Sequence, residues 1–406
     1  MLLCLLLGLL PGVAGAAEKG EDKQKTKKNY TVSPPVFKRL DAAQQLLAED
    51  DYAGALAQLD ALGKKKLNPH EQALMWQIYG YTQSSQERYG EAIKSFEKCI
   101  AEDALPASTE ATIRYNLGQL YMAEERFEDA SKILETWLAG AENPAPSAYY
   151  LIAIAYTQQD RYEKALSFVE QALAKAKVPN ESWLQLALSL YFQLERWTEV
   201  AETLEVLVTH FPKASYWKQL TSAYASLGKE RKSLAALELA YAQGFLVKES
   251  ELENLAHMYL YHEVPYKAAR VVEKALEEKR IPEDEQSWEL LANSWLHARE
   301  YERALDPLER AASLSEDGDV YIKLAQLHLQ QQRWSAARKA LEAALAKGEL
   351  EDPGGALILA GITSLNEKRY AEAKRSFTKA KKYEKNRKAA SDWLEHVERE
   401  IAKNES

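Results

Sequence analysis

Glycine and proline are scarce in this sequence, with 17 and 13 residues among 406. Both interrupt helices, whereas the abundant alanine, leucine, glutamate, lysine and glutamine favour them. Apolar residues make up 46% of the chain, enough for a large core. The composition therefore predicts helix nearly throughout.

Cysteine and excess positive charge are also lacking. The two cysteines are Cys4 and Cys99, and removal of an N-terminal leader would leave one thiol, which excludes an internal disulfide. Cys99 falls on the apolar face of a predicted helix, so we interpret it as a small core residue rather than a nucleophile. The net charge of −9 argues against a nucleic-acid partner.

No catalytic or metal-binding pattern is present. The seven histidines form no HExxH sequence and have no cysteines at zinc-ligand spacing. No Walker-type loop occurs, and the carboxylates lie on repeating helix faces that should be solvated. We therefore predict a protein that is not an enzyme and that has no catalytic residue, cofactor or metal.

The N-terminus differs from the rest of the chain. The stretch "MLLCLLLGLLPGVAGA" resembles a secretory signal peptide, residues 1–16, cleaved after Ala16. An uncleaved anchor is the alternative, although the run is shorter than the roughly 20 residues of a membrane span. Residues 17–35 are highly charged and predict a disordered tether. Any membrane contact is expected through this tether or through a partner.

A short sequence motif recurs along the chain, as in "ERYGEAIKSFEKCI" and "DRYEKALSFVEQAL". Its small residue returns every 33 to 38 positions, a period that indicates stacked helical hairpins. The ten small positions are Ala55, Ala92, Ala130, Ala165, Val200, Ser233, Ala268, Ala304, Ala337 and Ala373.

Each small residue has characteristic neighbours. A ring usually precedes it by three residues, and a large apolar residue follows it by four, which keeps one helix face apolar. Glu230 and Pro265 replace the ring in two units. At Pro265 we expect the turn between the two helices to differ, while Ala268 and Ala275 keep the packing face.

The helix before each of these has its own pattern, a small residue followed after three positions by an aromatic, as in Gly118 and Tyr121. The small residue lets a neighbouring helix approach closely. Trp-x2-Leu-Gly-x2-Tyr followed by Ala-x3-Phe resembles the tetratricopeptide repeat. The resemblance implies an all-α, right-handed α-solenoid of about ten hairpins over residues 36–384. Residues 385–406 are predicted to form a C-terminal capping helix, with Ala389, Trp393, Leu394 and Val397 as its apolar stripe.

The tetratricopeptide resemblance also implies a binding surface, because in that family the first helix of each repeat lines a concave groove. Transferring the family's groove positions to this chain gives nine candidate partner-binding residues. They are Tyr81, Tyr115, Gln119, Tyr150, Gln185, Phe192, Lys218, His257 and Asn293. Rings and amides suit an extended peptide or a partner helix. As alternatives, the face is unused, or Tyr115 and Tyr150 simply pack between repeats.

A closer resemblance extends nearly end to end, with "QGFLVKESELENLA" and "PYKAARV" as its most distinctive parts. These stretches are similar to exported bacterial tetratricopeptide proteins associated with the TonB–ExbB–ExbD system. That resemblance implies a periplasmic scaffold that works through protein–protein contacts, with TonB, ExbB or ExbD components as its expected partners. An assembly factor for exported polysaccharide or pili, and a glycan- or peptidoglycan-binding module, remain the alternatives.

Overall fold

The computed structural model describes residues 31–405 of the chain. The predicted signal peptide and most of the predicted tether lie outside the described residues. Within the described part there are 21 α-helices, one 3-10 helix and no β-strand, which confirms the predicted all-α class. The chain divides into two compact units, Met1–Leu190 and Tyr191–Ser406, with the division inside helix α9.

The helices follow one another as antiparallel pairs. In order, they are α1 (Pro34–Ala48), α2 (Tyr52–Gly63), α3 (Pro69–Ser85), α4 (Tyr89–Ala101), α5 (Ala107–Ala123), α6 (Phe127–Gly140), α7 (Pro146–Thr157), α8 (Tyr162–Lys175), α9 (Glu181–Gln193), α10 (Trp197–His210), α11 (Ala214–Ser226), α12 (Glu230–Ala242), α13 (Glu249–Tyr261), α14 (Pro265–Glu277), α15 (Glu285–His297), α16 (Tyr301–Leu314), α17 (Asp319–Gln330), α18 (Trp334–Lys347), α19 (Pro353–Asn366), α20 (Tyr370–Ala380), the 3-10 helix (Glu384–Asn386) and α21 (Arg387–Glu405). The residue limits predicted for the tether, the repeat array and the cap stay predictions.

The turn between the two helices of a pair is built in the same way ten times. In the third pair, the Arg126 N–H donates to the Tyr121 carbonyl at 2.8 Å, and Glu125 between them is left-handed with φ 56°. This arrangement closes a helix C-terminus with a six-to-one hydrogen bond. The left-handed residue lies five positions before each small residue. The ten are Asp50, Glu87, Glu125, Asp160, Glu195, Gly228, Glu263, Arg299, Gln332 and Lys368.

The expectation of a different turn at Pro265 is wrong. Glu263 is left-handed with φ 59°, and the Val264 N–H donates to the Tyr259 carbonyl at 2.8 Å, as in the other turns. Pro265 is the first residue of α14. At that position a helix needs no N–H donor, and the fixed φ of proline is already helical.

The predicted packing positions form the interior of the hairpins. Each of the ten small residues is at most 2% exposed, and the large apolar residues four positions later are at most 5% exposed. A Cβ atom added to Gly80 would lie 2.5 Å from the Phe96 ring, and one added to Gly118 would lie 2.4 Å from Leu134. This confirms that small first-helix residues permit close helix approach.

Two further sequence expectations concern the interior. Cys99 is fully buried and its thiol lies 3.0 Å from the Ala73 carbonyl oxygen; burial, with nearby carboxylates, raises its pKa to about 12. It is a core residue, as predicted. In α21 the predicted stripe is wrong at one position, because Ala389 is exposed and Ala390 is fully buried. The residues three and four positions after Ala390 are Trp393 and Leu394. The Trp393 ring stacks on Phe377.

Candidate functional site

The predicted partner-binding residues all lie on odd-numbered helices, the first helices of the pairs. We call the surface that these helices present within each unit the first-helix face. In the first unit it includes Tyr81 on α3, Tyr115 and Gln119 on α5, Tyr150 on α7 and Gln185 on α9. In the second unit it includes Phe192 on α9, Lys218 on α11, His257 on α13 and Asn293 on α15.

The three predicted tyrosines of the first unit contact neighbouring rings and are half-buried. The Tyr150 ring stacks on Trp183 of α9 with centroids 5.5 Å apart. Tyr115 contacts Trp137 of α6 at 4.7 Å, and burial raises the pKa of both Tyr115 and Tyr150. These rings stabilise contacts between helices, and each keeps part of its surface open to solvent.

Tyr81 likewise links two repeats. Its ring lies edge-on to Phe96 at 5.2 Å, and Asn116 of α5 donates to its hydroxyl at 3.4 Å. Gln119 is half-buried and Gln185 is exposed on the same face of this unit.

The predicted residues of the second unit are more polar. The Lys218 ammonium lies 2.5 Å from a carboxylate oxygen of Glu251 on α13, so its charge is already matched by the next repeat. Phe192 lies edge-on to Trp197 at 5.6 Å. His257 is exposed and Asn293 is half-buried.

A recurring carboxylate was missed by the sequence reasoning. It lies on the second helix, five residues after the small residue, in nine of the ten units, and Thr378 takes the position in the tenth. The nine residues are Asp60, Glu97, Glu135, Glu170, Glu205, Glu238, Glu273, Glu309 and Glu342. The structure shows its role, because several of these carboxylates accept hydrogen bonds from the first helix of the following repeat.

In the second unit the carboxylate belongs to a group of three side chains. Tyr259 of α13 donates its hydroxyl to Glu238 of α12. Lys267 of α14 donates to the same carboxylate at 2.6 Å, and its ammonium lies 5.5 Å from the centre of the Tyr259 ring. We call such a ring, the carboxylate of the preceding second helix and the cation of the following second helix an interface triad. Its geometry combines an ion pair, a hydrogen bond and a cation–π contact.

Two more interface triads flank this one. In the earlier one, Tyr224 donates to Glu205, and Lys232 lies 3.8 Å from that carboxylate and 5.2 Å from the ring. In the later one, Trp295 is the ring, with the Arg303 guanidinium carbon 3.6 Å from its centre and an Arg303 nitrogen 3.0 Å from Glu273.

The first unit has a related group at Tyr121. Its hydroxyl donates to Glu97 at 2.6 Å, and the Arg126 guanidinium lies 4.5 Å from the ring centre and 3.7 Å from Glu97. Burial and the carboxylate together raise the pKa of the Tyr121 hydroxyl, since both disfavour the phenolate.

Among the pockets of the second unit, two are each lined by two second helices and the first helix between them. The larger has a volume of about 500 Å³ between α14, α15 and α16, and Trp288 lies on its wall with the Arg310 guanidinium 4.6 Å from the ring centre. The smaller has a volume of about 310 Å³ between α16, α17 and α18. It includes Glu309, His328 and Ala336 in its wall.

Other kinds of site are not evident in residues 31–405. No group of three or more potential metal-ligating side chains occurs there. Among those same residues, no helix combines the length and the hydropathy that a membrane span requires.

Family models of the tetratricopeptide repeat match residues 84–153, 148–181, 254–319 and 322–387, together more than half of the sequence. The chain is a tetratricopeptide repeat protein. Such repeats form protein-interaction scaffolds that bind proteins or peptides and are typically not enzymatic. A search of curated proteins gives no match.

Several solved structures are similar to the chain. One is a tetratricopeptide repeat protein from Parabacteroides merdae ATCC 43184, with 20% identity, 64% of this chain and 99% of that chain covered, and a TM-score of 0.36. Another is MamA from Desulfovibrio magneticus RS-1, with 20% identity, 42% and 95% covered, and a TM-score of 0.30. A third is the TPR2AB domain of yeast Sti1 in a pHSP90 complex, with 16% identity, 66% and 99% covered, and a TM-score of 0.32.

Proposed function

We propose that this chain is a periplasmic, non-enzymatic scaffold that binds a protein segment along its first-helix faces, as an accessory to TonB-dependent energy transduction. The proposal rests on side chains of these faces that form no hydrogen bond or ion pair with another described side chain. Gln119 and Asn293 are half-buried and His257 is exposed, and none of the three has a side-chain partner in the described part of the chain. Amides and partly exposed rings of this kind suit an extended peptide.

The outer surfaces of the second helices are the alternative contact surface. They display ion pairs within a single helix, such as Lys132 with Glu128 at 2.8 Å and Arg310 with Asp306 at 3.0 Å. Exposed pairs at this spacing are typical of solvated helix surfaces and add little energy. The first helix α5 carries a pair of the same kind, Arg114 with Glu110, so the proposal of the first-helix face rests on the unpartnered side chains of Gln119, His257 and Asn293 and not on the ion pairs.

The proposed compartment and the proposed partner are supported by the sequence alone. The signal-like residues 1–16 support export, and the resemblance to the TonB-associated proteins supports a partner among TonB, ExbB and ExbD. Mass spectrometry of the protein from a periplasmic extract tests export, with Ala17 expected as the first residue. Recovery of the full-length chain from the cytoplasm would overturn that part.

Photo-cross-linking in cells tests the contact surface. A benzoyl-phenylalanine in place of Gln119 or His257 should give adducts that contain TonB, ExbB or ExbD. The matched control is the same replacement at Gln171, which is exposed on the second helix α8. Equal adducts from the control position would move the contact away from the first-helix face. Adducts with cell-wall sugar alone would instead support a glycan-binding module.

A further inference from the structure

The smaller pocket in the second unit lies where an interface triad is incomplete. In three successive repeats the cation immediately precedes the small residue of the second helix, at Lys232, Lys267 and Arg303. In the next repeat, on α18, the same position is Ala336. Ala336 cannot supply the cation of the triad, and the nearby Arg333, which precedes α18, pairs with Glu302 rather than with Glu309.

The ring is also smaller at this interface. His328 of α17 takes the position that Tyr224, Tyr259 and Trp295 have in the three complete triads. A histidine has no hydroxyl that could extend to the carboxylate as the two tyrosines do. Two short side chains at one interface thus account for the pocket of about 310 Å³, whose wall contains both His328 and Ala336.

The two polar members that remain, His328 and Glu309, are not hydrogen-bonded to each other. His328 is 6% exposed, and its Nδ1 atom is buried without a hydrogen bond. Glu309, the carboxylate of the incomplete triad, forms no hydrogen bond or ion pair with any described residue. The buried Nδ1 atom of His328 lacks a partner within the protein, whereas Glu309 is exposed and offers a carboxylate that a cation can reach from solvent.

We propose that the pocket between α16, α17 and α18 binds a lysine or arginine side chain of a partner protein, which supplies the cation that Ala336 lacks. The complete triads define the expected contacts. The incoming cation lies over the His328 ring, as Arg303 lies over Trp295, and it donates to Glu309, as Arg303 donates to Glu273. A guanidinium group stacks on a planar ring and pairs with a carboxylate at the same time.

Lys339 also lies on the pocket wall, where its positive charge would repel an incoming cation. It is exposed and forms no ion pair with Glu309. Its charge opposes an incoming cation only weakly, because exposed charges are screened by water and salt. Replacement of Lys339 by glutamine should therefore strengthen binding only slightly.

The test uses the full chain with histidine labelled at Cε1 with 13C, and the His328 signal assigned from the spectrum of His328→Gln. Titration with N-acetyl-arginine amide should shift that signal saturably. N-acetyl-citrulline amide, which is neutral and nearly the same shape, should not. No saturable shift with the arginine derivative, or an equal shift with the citrulline derivative, would overturn the proposal.

Variants show whether the triad residues are responsible. Glu309→Gln should weaken binding of the arginine derivative at least tenfold, and Ala336→Lys should abolish it because the chain then fills its own pocket. Ala346→Lys, exposed on the same helix, is the matched control and should bind as the unmodified chain does. Unchanged binding by Glu309→Gln would refute the assigned contact even if Ala336→Lys fails to fold. The inference does not depend on the TonB-related proposal, since the probe tests the pocket alone.

Discussion

The close approach of α5 and α6 gives a prediction whose sign depends on geometry rather than on helix propensity. A Cβ at position 118 would lie 2.4 Å from Leu134 Cδ2 and 2.5 Å from its Cγ, whereas carbon atoms prefer about 3.5–4.0 Å. Leu134 is fully buried and cannot swing into solvent. Gly118→Ala should gain about 1 kcal/mol from helix propensity and lose about 2 kcal/mol from overpacking, a net loss of about 1 kcal/mol.

The matched control is Gly90→Ala in α4. The nearest atom to a Cβ there is a Glu124 carboxylate oxygen at 4.0 Å, so only the propensity gain remains and the variant should be more stable by up to about 1 kcal/mol. Urea denaturation followed by circular dichroism at 222 nm measures both changes. The two glycines should therefore give opposite signs for the same substitution.

A double-mutant cycle isolates the contact. Leu134→Ala alone should cost about 2–5 kcal/mol, but it also makes room for a Cβ at position 118. In that background Gly118→Ala should become stabilising by about 1 kcal/mol, which gives a coupling of about 2 kcal/mol. The reasoning is refuted if Gly118→Ala has the same effect whether or not Leu134 is present.

Three other predictions concern the turns and the interface triads. Tyr121→Phe should cost about 1–2 kcal/mol at pH 7 by removing the hydrogen bond to Glu97. The raised pKa of Tyr121 means that this contribution is complete below about pH 10 and is lost above it, so denaturation curves that differ equally at pH 8 and pH 11 would contradict the assignment. Gly228→Ala should cost about 1 kcal/mol, because φ is +65° with nothing within 4 Å of the new Cβ, and an unchanged denaturation midpoint would argue against this turn geometry. His328→Tyr should stabilise the chain by about 1 kcal/mol through a hydrogen bond to Glu309. Burial and the nearby Arg333 guanidinium lower the pKa of His328, while the carboxylates of Glu309 and Glu302 oppose this shift, so unfolding takes up a proton as the pH falls below about 6.5. Melting curves between pH 7 and pH 5 should therefore depend less on pH in the tyrosine variant, and an identical dependence would count against a buried neutral histidine.

The sequence period was sufficient to predict the helical hairpins, because each unit needs the same types of buried residue at the same positions. Positions such as Ala165 and Phe96 could be assigned from spacing alone, and both are buried. Spacing could not show that Tyr150 stacks on Trp183, since that contact depends on how two successive first helices are staggered. The turn at Pro265 was misjudged because the ring at that position was taken as a requirement of the turn. Its backbone conformation is fixed by the preceding residues instead.

The role of the recurring carboxylate could not be predicted from the sequence, for a different reason. Glu238 and its equivalents are visible in the sequence at a fixed distance from each small residue, but an acidic residue on a helix is usually solvated. Only the structure shows that the carboxylate contacts a ring from the first helix of the next repeat and a cation from the second helix of that same repeat. A one-dimensional period records which residue types recur, and it does not record which of them meet across an interface.

An array of repeats can lose one interface triad without losing its fold. The stability of such a chain is approximately a sum over repeats and their nearest-neighbour interfaces, and the exposed pairs within a triad contribute modestly. The interface around His328 keeps its apolar packing, with Leu324 and Ala340 both buried, while the Nδ1 atom of His328 is buried without a hydrogen bond and Glu309 forms no ion pair with a described residue. Because the Trp295 triad stabilises the preceding interface and apolar packing is kept at this one, the incomplete triad is where a charged group from another molecule can be accepted at little structural cost.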